Sequence, residues 1–392
     1  MSARTEDGPR VPSLGILAAF PPLFSLLRLA LRLVADDGPA GTGGPTRTAS
    51  SARPARSARP GTDGRPAARN PRPRPRPRPV RMVPATLSID GRRLRFAVSD
   101  NERAHGPEGP GSPPVWAVNV HGYFAGGGMY WRESSHLARD MGWRVVNPSL
   151  PGFGGSDPLP WERVNMHEIS HQVIELLDHV GAPHAVLLGH SMGGAVAVQL
   201  GYDHPERTLG IVYRDGIATP GWKRRKGILV SLLSPVLPDV AGVADLMTAA
   251  LLDTPDMLIG RRLSSTLRGM WPDARRNIRQ MGRTLPVGAM LMSIDMQEEL
   301  LAVVEQQIPF LPVWGCFDRI VNSKTAAEVS EMVHREIVWV PGGHSWMLPR
   351  PQGQVDVLRY LDPGRGFVDD VLSRRSLLLG AGGRQPRLRA LR

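Results

Sequence analysis

Short apolar runs separated by helical patterns recur through the middle of the chain. Two alternating runs around Asp90-Gly91, within residues 86–98, are typical of a β-hairpin. Runs rich in β-branched residues follow at 115–120, 143–148, 185–189, 209–214, 310–315 and 336–340. Because the later runs do not alternate, they predict strands buried on both faces of a mainly parallel sheet. The pattern therefore predicts an α/β fold.

One segment between these strands, residues 165–180, carries clear signals for the start and the end of a helix. Asn165 is a favourable N-cap, Glu168 follows three residues later, and Gly181 comes after the last periodic residue. This spacing predicts an amphipathic helix.

The same helix contains a match to the HExxH motif of zinc proteases, with His167 and His171 as the two histidines. At 100° per residue both histidines lie roughly 100 to 140° from the apolar stripe of the helix. We therefore expect them to face solvent, away from the strand ends, and we predict no metal site.

The alternation of strand and helix stops between residues 216 and 308. We interpret this region as a helical cap inserted between two strands. It contains Met247, Met257, Met270, Met281, Met290, Met292 and Met296. Most of these methionines are expected to fill the core of the insert, but flexible thioethers also suit an adaptable apolar pocket. Met290 and Met292 are the candidates for the substrate pocket.

The positive charge of the chain, +12 in total, is concentrated at its two ends. Residues 1–81 hold 15 arginines and 5 acids, and residues 371–392 hold 6 arginines and no acid. The remainder is slightly acidic, so the folded part lacks the basic surface of a nucleic-acid-binding protein. A single cysteine, Cys316, excludes an intramolecular disulfide and a Cys-rich zinc module.

The leader, residues 1–81, divides into two pieces. Residues 11–34 are apolar but are broken by Pro21-Pro22 and by two arginines, which favours an interfacial helix in weak contact with a membrane surface over a spanning one. The remainder is rich in Gly, Pro, Ala, Ser and Arg and predicts disorder. An alternative is that translation begins at Met82. We expect a cytoplasmic protein, with membrane association left open by the leader.

The strongest chemical signal is the run Gly189-His190-Ser191-Met192-Gly193, which lies between a predicted strand and a helix rich in small residues. This is the GxSxG turn in the context that it requires. The glycines allow a sharp reversal that exposes Ser191 as a nucleophile. The backbone N–H of Met192, at the helix N-terminus, is a candidate oxyanion donor.

A serine nucleophile needs a base and an acid that orients the base. Asp318 follows the strand at 310–315, and His344 lies in a Gly-rich loop after the next strand. Both would meet Ser191 at the carboxyl edge of a parallel sheet. Asp215, after the strand at 209–214, is the alternative acid.

Together these residues make the chain resemble the α/β-hydrolase family over residues 83–363. The resemblance is carried by His121-Gly122, LPGFGGSD (150–157), GHSMGG (189–194), Asp318 and His344. It implies an α/β-hydrolase fold and a second oxyanion donor, the backbone N–H of Tyr123. Many relatives have proline where this chain has Phe124. The candidate pocket residues near these motifs are Phe124, His190 and Trp346.

The predicted organisation is a leader (1–81), a hydrolase core (82–215 and 309–365), a helical cap (216–308) and a basic tail (366–392). The predicted activity is cofactor-free hydrolysis of a carboxylic ester or lactone of a small-to-medium apolar substrate. Two alternatives share the fold: C–C bond hydrolysis and a perhydrolase or haloperoxidase reaction. A third alternative is a membrane-surface or protein-binding scaffold. No oligomeric state is predicted.

Overall fold

The computed structural model of the protein describes residues 79–223, 263–361 and 366–381, apart from residues 103, 108 and 110. All of them belong to one compact unit that begins at Pro79. The predicted interfacial helix at 11–34 lies outside the described residues, as do Met247 and Met257.

The described residues form one eight-stranded sheet with the order β1-β2-β4-β3-β5-β6-β7-β8. The strands are β1 (Met82–Ile89), β2 (Arg92–Ser99), β3 (Trp116–Val120), β4 (Arg144–Ser149), β5 (Ala185–His190), β6 (Thr208–Arg214), β7 (Phe310–Gly315) and β8 (Val338–Val340). Strand β2 is antiparallel to β1 and β4, and every other neighbouring pair is parallel. The predicted fold class, a mainly parallel sheet flanked by helices, is confirmed.

The hairpin between β1 and β2 turns at Asp90 and Gly91. Their φ angles are 49° and 76°. Positive φ at both central residues is the geometry that Asp-Gly favours, and it matches the twist of the flanking strands. This turn sets the register in which Ile89 pairs with Arg92.

The helices of the described residues are α1 (Trp131–Asp140), α2 (Met166–His179), α3 (Met192–Asp203), α4 (Pro220–Lys223), α5 (Leu263–Arg279), α6 (Leu285–Ser293), α7 (Gln297–Glu305), α8 (Ser323–Val333), α9 (Gly353–Asp356) and α10 (Phe367–Ala381). Short 3₁₀ turns occur at Gly127–Tyr130, Trp161–Arg163, Pro205–Arg207 and Met281–Arg283, and a π turn at Val357–Leu361. Within the described part of the chain, no helix combines the length and the apolar character needed to cross a membrane.

Helix α2 occupies the segment with the predicted boundary signals. Asn165 accepts a 2.8 Å hydrogen bond from the backbone N–H of Glu168, and Gly181 follows the helix with a φ of 71°. Both ends of the helix are therefore closed by the residues that the sequence indicates.

The sheet is covered on both faces, so its central strands β3, β5 and β6 are buried along their whole length. Alternate residues of β5 enter two core clusters: Ala185 and Leu187 join one, and Val186 and Leu188 join the other. Helices α2, α3, α7 and α8 contribute to the first cluster, and α1 and α10 to the second. This arrangement explains why the strand runs do not alternate between apolar and polar residues.

Helix α10 adds to the core beyond residue 365, where the sequence placed the start of a basic tail. Phe367 and Val371 are buried and lie against Gly210 of β6. Arg374 donates hydrogen bonds to the backbone carbonyls of Thr208 and Pro205, both at 2.8 Å. Arg374, which the sequence analysis places in the basic tail, thus binds carbonyl groups at and just before the start of β6.

Candidate active site

Ser191 lies in a sharp turn between β5 and α3. Its φ and ψ are 54° and −116°, a conformation that is strained for a residue other than glycine. Its backbone N–H donates a 2.9 Å hydrogen bond to the carbonyl of Arg214 in β6. A Cβ at Gly189 would collide with the backbone of Gly193, and one at Gly193 would collide with the carbonyl of Val120. The two glycines therefore allow the turn that presents Ser191 at the carboxyl end of the sheet.

The turn after β3 lies directly against this serine. A Cβ added at Gly122 would be 3.2 Å from Ser191 Cβ. His121 Nδ1 donates a 2.7 Å hydrogen bond to the carbonyl of Gly122, and Nε2 accepts one of 2.9 Å from the N–H of Leu150. Burial lowers the pKa of His121 to about 4, which keeps the ring neutral. The tautomer with hydrogen on Nδ1 follows from the N–H of Leu150, which needs Nε2 as its acceptor.

This arrangement orients the peptide between Gly122 and Tyr123. The C=O and N–H of a trans peptide point in opposite directions. Because His121 holds the carbonyl on one side, the N–H of Tyr123 is directed to the other. Among the hydrogen bonds of the described residues, the N–H groups of Tyr123 and Met192 donate to no backbone or side-chain acceptor. Both are available for a developing oxyanion.

His344 and Asp318 are brought together by the loops after β8 and β7. His344 Nδ1 lies 2.9 Å from Asp318 Oδ2. The other carboxylate oxygen of Asp318 accepts hydrogen bonds from the N–H groups of Ile320 at 2.7 Å and Val321 at 2.9 Å. Both side chains are buried. The carboxylate is thus fixed in position, and the pairing of Nδ1 leaves Nε2 of His344 as the nitrogen that can exchange a proton.

Asp215 lies behind this pair and is fully buried. Its two oxygens accept hydrogen bonds of 2.8 Å from the N–H of Gly315 and from Trp346 Nε1. Burial, and next the charge of Asp318, raise the pKa of Asp215 well above its usual range. Of the two acids considered from the sequence, Asp318 is the one paired with His344.

Asp215, Asp318 and His344 also form a group in which one ligand atom from each residue lies within 4.8 Å of the others. This spacing would suit a metal ion. However, the Nδ1 of His344 is already paired with Asp318, and both oxygens of Asp215 accept N–H groups. The pairing with Asp318 makes Nδ1 of His344 a hydrogen-bond donor, which has no lone pair to offer a cation, so the group fits an acid–imidazole pair better than a metal site.

His190, a candidate pocket residue, lies between Ser191 and the loop that carries His344. Its Nδ1 accepts a 2.6 Å hydrogen bond from the Tyr130 hydroxyl, and its Nε2 donates one of 2.9 Å to the backbone carbonyl of His344. Burial, and next the charge of His344, lower the pKa of His190 well below its usual range. With both ring nitrogens bonded and the ring buried, His190 supports the loop that carries His344.

The other candidate pocket residues differ in their surroundings. Trp346 is buried and is bonded to Asp215. Phe124 has a φ of 61° and is half-buried beside Tyr123. Met290 and Met292 of α6 are half-buried and pack against the larger core cluster. Phe124 and the two methionines thus remain candidates for contact with a substrate.

The histidines of the HExxH match lie on the surface of α2. The side chain of His167 is 66% exposed and its Nδ1 lies 2.9 Å from Asp203 Oδ2, while His171 lies 3.6 Å from Glu175 Oε1. Each histidine is paired with a different carboxylate.

Two buried polar contacts near this site have no counterpart in the sequence analysis. Arg214 and Glu133 form a fully buried ion pair of 2.5 Å beside the turn at Ser191, and Arg214 also donates to Asn119 at 2.8 Å. Asn277 of α5 binds the loop that follows Tyr123. Both contacts join residues far apart in sequence, and no local motif marks them.

The fold and this arrangement of side chains define an α/β hydrolase. A family model described as "alpha/beta hydrolase fold" matches residues 118–351, more than half of the chain. The chain belongs to the α/β-hydrolase family, and it is an enzyme.

Similar proteins carry several activities. Over 269 residues the chain is 30% identical to the dihydrolipoyllysine-residue acetyltransferase component of the acetoin cleaving system of Pseudomonas putida, covering 67% of this chain and 64% of that protein. It is 25% identical to the 2-hydroxy-6-oxo-6-phenylhexa-2,4-dienoate hydrolase of Burkholderia cepacia, covering 52% of this chain and 71% of that protein. The enol-lactonase of Burkholderia xenovorans LB400 has a similar structure, with a TM-score of 0.52 and 16% identity, covering 74% of this chain and 100% of the lactonase.

Proposed function

We propose that the protein is a serine hydrolase that cleaves a carboxylic ester or lactone through an acyl-enzyme. The observation that carries the proposal is the 2.9 Å pairing of His344 Nδ1 with the buried carboxylate of Asp318, in a site whose strained turn presents Ser191. A base held in one tautomer by an acid is what a serine needs in order to react as a nucleophile.

The first half of the reaction forms the acyl-enzyme. Ser191 Oγ attacks the ester carbonyl while Nε2 of His344 takes its proton, and Asp318 stabilises the imidazolium that results. The carbonyl oxygen becomes an oxyanion that accepts hydrogen bonds from the N–H groups of Tyr123 and Met192. When the C–O bond to the alcohol breaks, His344 returns the proton to the leaving oxygen.

The second half hydrolyses the acyl-enzyme. His344 takes a proton from water, whose oxygen attacks the acyl carbonyl, and the same N–H groups stabilise the second oxyanion. Collapse of this intermediate releases the acid and returns the proton to Ser191. The site needs no redox or metal step for this sequence.

The methionines of the cap are the reason for proposing that the substrate has an apolar group. Met290 and Met292 pack at the edge of the core cluster, and their flexible side chains suit a contact with an acyl or alkyl group. The likeness to the enol-lactonase is a likeness of fold, and a shared fold does not establish a shared substrate. Lactone hydrolysis is proposed because a lactone is a cyclic ester, on which the same serine, base and oxyanion donors would act.

C–C bond hydrolysis is the second candidate. The Burkholderia cepacia hydrolase is named for a substrate of the dienoate class and matches half of this chain. The same serine, histidine and aspartate would act on a vinylogous diketone, with a carbanion instead of an alkoxide as the leaving group.

The proposal is tested by labelling the protein with a fluorophosphonate and by assaying a series of p-nitrophenyl esters. Ser191→Ala is expected to abolish labelling and to lower kcat by roughly 10⁴-fold or more, because the nucleophile is lost. Ser135→Ala on helix α1 is the matched control and should behave as wild type. Activity of Ser191→Ala within tenfold of wild type would exclude the mechanism. Fast turnover of a diketone beside weak ester turnover would favour the second candidate.

A further inference from the structure

Helix α5 of the cap reaches into the loop that carries one of the candidate oxyanion donors. We define the oxyanion loop as residues 121–128. Asp273 and Asn277 are four residues apart on α5, hence on one face, and both side chains are buried. Each one contacts a different part of the oxyanion loop.

Asn277 binds three backbone groups. Its Nδ2 donates hydrogen bonds of 2.8 Å to the carbonyls of Phe124 and of Ala125, and its Oδ1 accepts one of 2.8 Å from the N–H of Gly154. One side-chain amide thus uses both donors and its acceptor to join the oxyanion loop to the loop after β4. The bonded carbonyls belong to the two residues that follow Tyr123.

Asp273 explains two of the glycines in the oxyanion loop, Gly126 and Gly128. A Cβ at Gly126 would lie 2.7 Å from Asp273 Oδ2, and one at Gly128 would lie 2.6 Å from the same atom. Arg276 donates a 2.9 Å hydrogen bond to the other oxygen of Asp273 and so orients the carboxylate. The glycines are therefore required for the close approach of the cap helix.

The opposite side of the oxyanion loop is held by β4. Ser149 Oγ accepts a 3.1 Å hydrogen bond from the N–H of Gly127, and Asn147 Nδ2 donates one of 3.1 Å to the carbonyl of Gly127. A third contact with the cap comes from the Tyr123 hydroxyl, which donates to the carbonyl of Thr284 at 3.2 Å. The loop lies between the sheet and the cap.

The conformation of Phe124 shows why these contacts bear on catalysis. Its φ of 61° is unfavourable for a non-glycine residue, so surrounding contacts must maintain it. The carbonyl of this strained residue is bound by Asn277 of the cap.

We propose that Asp273 and Asn277 are positioning residues that hold the oxyanion loop from the cap, so that the backbone N–H of Tyr123 faces the reacting carbonyl. This inference rests on the proposed serine hydrolase function. The cap of this protein then has two tasks, because it contributes to the substrate pocket and completes the geometry of the oxyanion site.

The test compares Asn277→Ala with Asn277→Asp in the full chain. Aspartate preserves the size of the side chain and the acceptor for Gly154, but it cannot donate to the carbonyls of Phe124 and Ala125. We expect both variants to lower kcat on p-nitrophenyl butyrate by about 10- to 100-fold with little change in KM, as misplacement by about 1 Å does in other sites. The affinity for an alkylboronic acid, whose tetrahedral adduct uses the oxyanion site, should fall in parallel.

Titration of reactive serine with a fluorophosphonate corrects kcat for the folded fraction of each sample. Asn165→Ala, which removes the N-cap bond of α2, is the matched control: it should lower Tm and leave kcat per titrated site unchanged. Gly126→Ala provides a second variant, because its methyl group displaces Asp273 without changing Asn277, and it should reproduce the loss in kcat.

The outcomes separate the inference from the proposed function. If wild type neither labels nor cleaves esters, the proposed function is wrong. If turnover depends on Ser191 but both Asn277 variants keep kcat and boronate affinity within about twofold of wild type, well short of the loss expected for a misplaced donor, only the positioning role is excluded. A loss confined to Asn277→Ala, with Asn277→Asp as wild type, would likewise exclude it and would assign the effect to Gly154.

Discussion

The indole of Trp346 donates a 2.8 Å hydrogen bond to the carboxyl of Asp215, which lies behind Asp318 in the buried interior. This bond and the one from the N–H of Gly315 occupy both oxygens of Asp215. Asp318 instead presents one oxygen to His344. The two acids at neighbouring strand ends are thus in contact but have different partners, and this difference separates their expected roles.

The first prediction ranks the two acids. Asp318→Asn should lower kcat by roughly 10⁴-fold, because the amide would stabilise the wrong tautomer of His344. Asp215→Asn should have a smaller effect on kcat, since the raised pKa of Asp215 already favours its neutral form. Steady-state kinetics with one p-nitrophenyl ester measure both. The reverse ranking would transfer the orienting role to Asp215.

The second prediction concerns acyl chain length. An apolar pocket under the cap should add about 0.8 kcal/mol of binding per sequestered methylene, so kcat/KM should rise by roughly tenfold for each two carbons until the pocket is full. Met290→Ala or Met292→Ala should move the optimum towards longer chains. A profile that does not change with chain length would contradict an apolar acyl pocket.

The third prediction concerns the buried pair of Glu133 and Arg214. Glu133→Leu leaves a buried guanidinium without its partner and should lower the free energy of unfolding by about 3–5 kcal/mol. The double variant Glu133→Leu with Arg214→Met should recover much of this loss, because no charge then remains buried. Urea denaturation of wild type, both single variants and the double variant gives the four free energies of unfolding that a double-mutant cycle needs. Additive effects of the two changes would show that the pair is not coupled.

The fourth prediction concerns acid sensitivity. His184 is half-buried, and burial, followed by the charges of Arg375, Arg207 and Arg374, lowers its pKa from 6.5 to about 4. Between these values the unfolded chain takes up a proton that the folded chain does not, so stability falls as the pH falls from 6.5 to 4. His184→Gln should make this fall less steep, which urea midpoints measured across that range will detect.

The comparison with wild type is needed in that experiment because other groups titrate as well. His121 contributes with the same sign, since its pKa is also lowered to about 4. The raised pKa of Asp215 contributes with the opposite sign, because stability is lost as the pH rises through it. Equal slopes for wild type and His184→Gln would contradict the assignment to His184.

Sequence patterns predicted the features that are determined by residues close together in the chain. The strands, the Asp90-Gly91 turn and the N-cap of α2 at Asn165 could be predicted because each needs particular residue types within a few positions. The GxSxG turn could be placed for the same reason, since its glycines are required by backbone contacts at Gly189 and Gly193.

Contacts between distant residues could not be predicted in this way. His190 and Trp346 looked like pocket residues because they adjoin the motifs, yet their ring nitrogens are bonded within the protein. Nothing near Asn277 in the sequence indicates that it binds Phe124. The glycines at 126–128 offered a hint, because small residues in a loop often mark a close approach, but they do not say what approaches.

The distance along the chain between Asn277 and Phe124 has a consequence for folding kinetics. The two residues are 153 positions apart, and strands β4, β5 and β6 lie between them. Contacts of such separation form only after the intervening chain has been ordered, since closing a long loop costs entropy before any contact compensates for it. Helices and hairpins should therefore appear early in refolding, and the oxyanion loop should reach its final conformation only once the cap has docked on an assembled sheet.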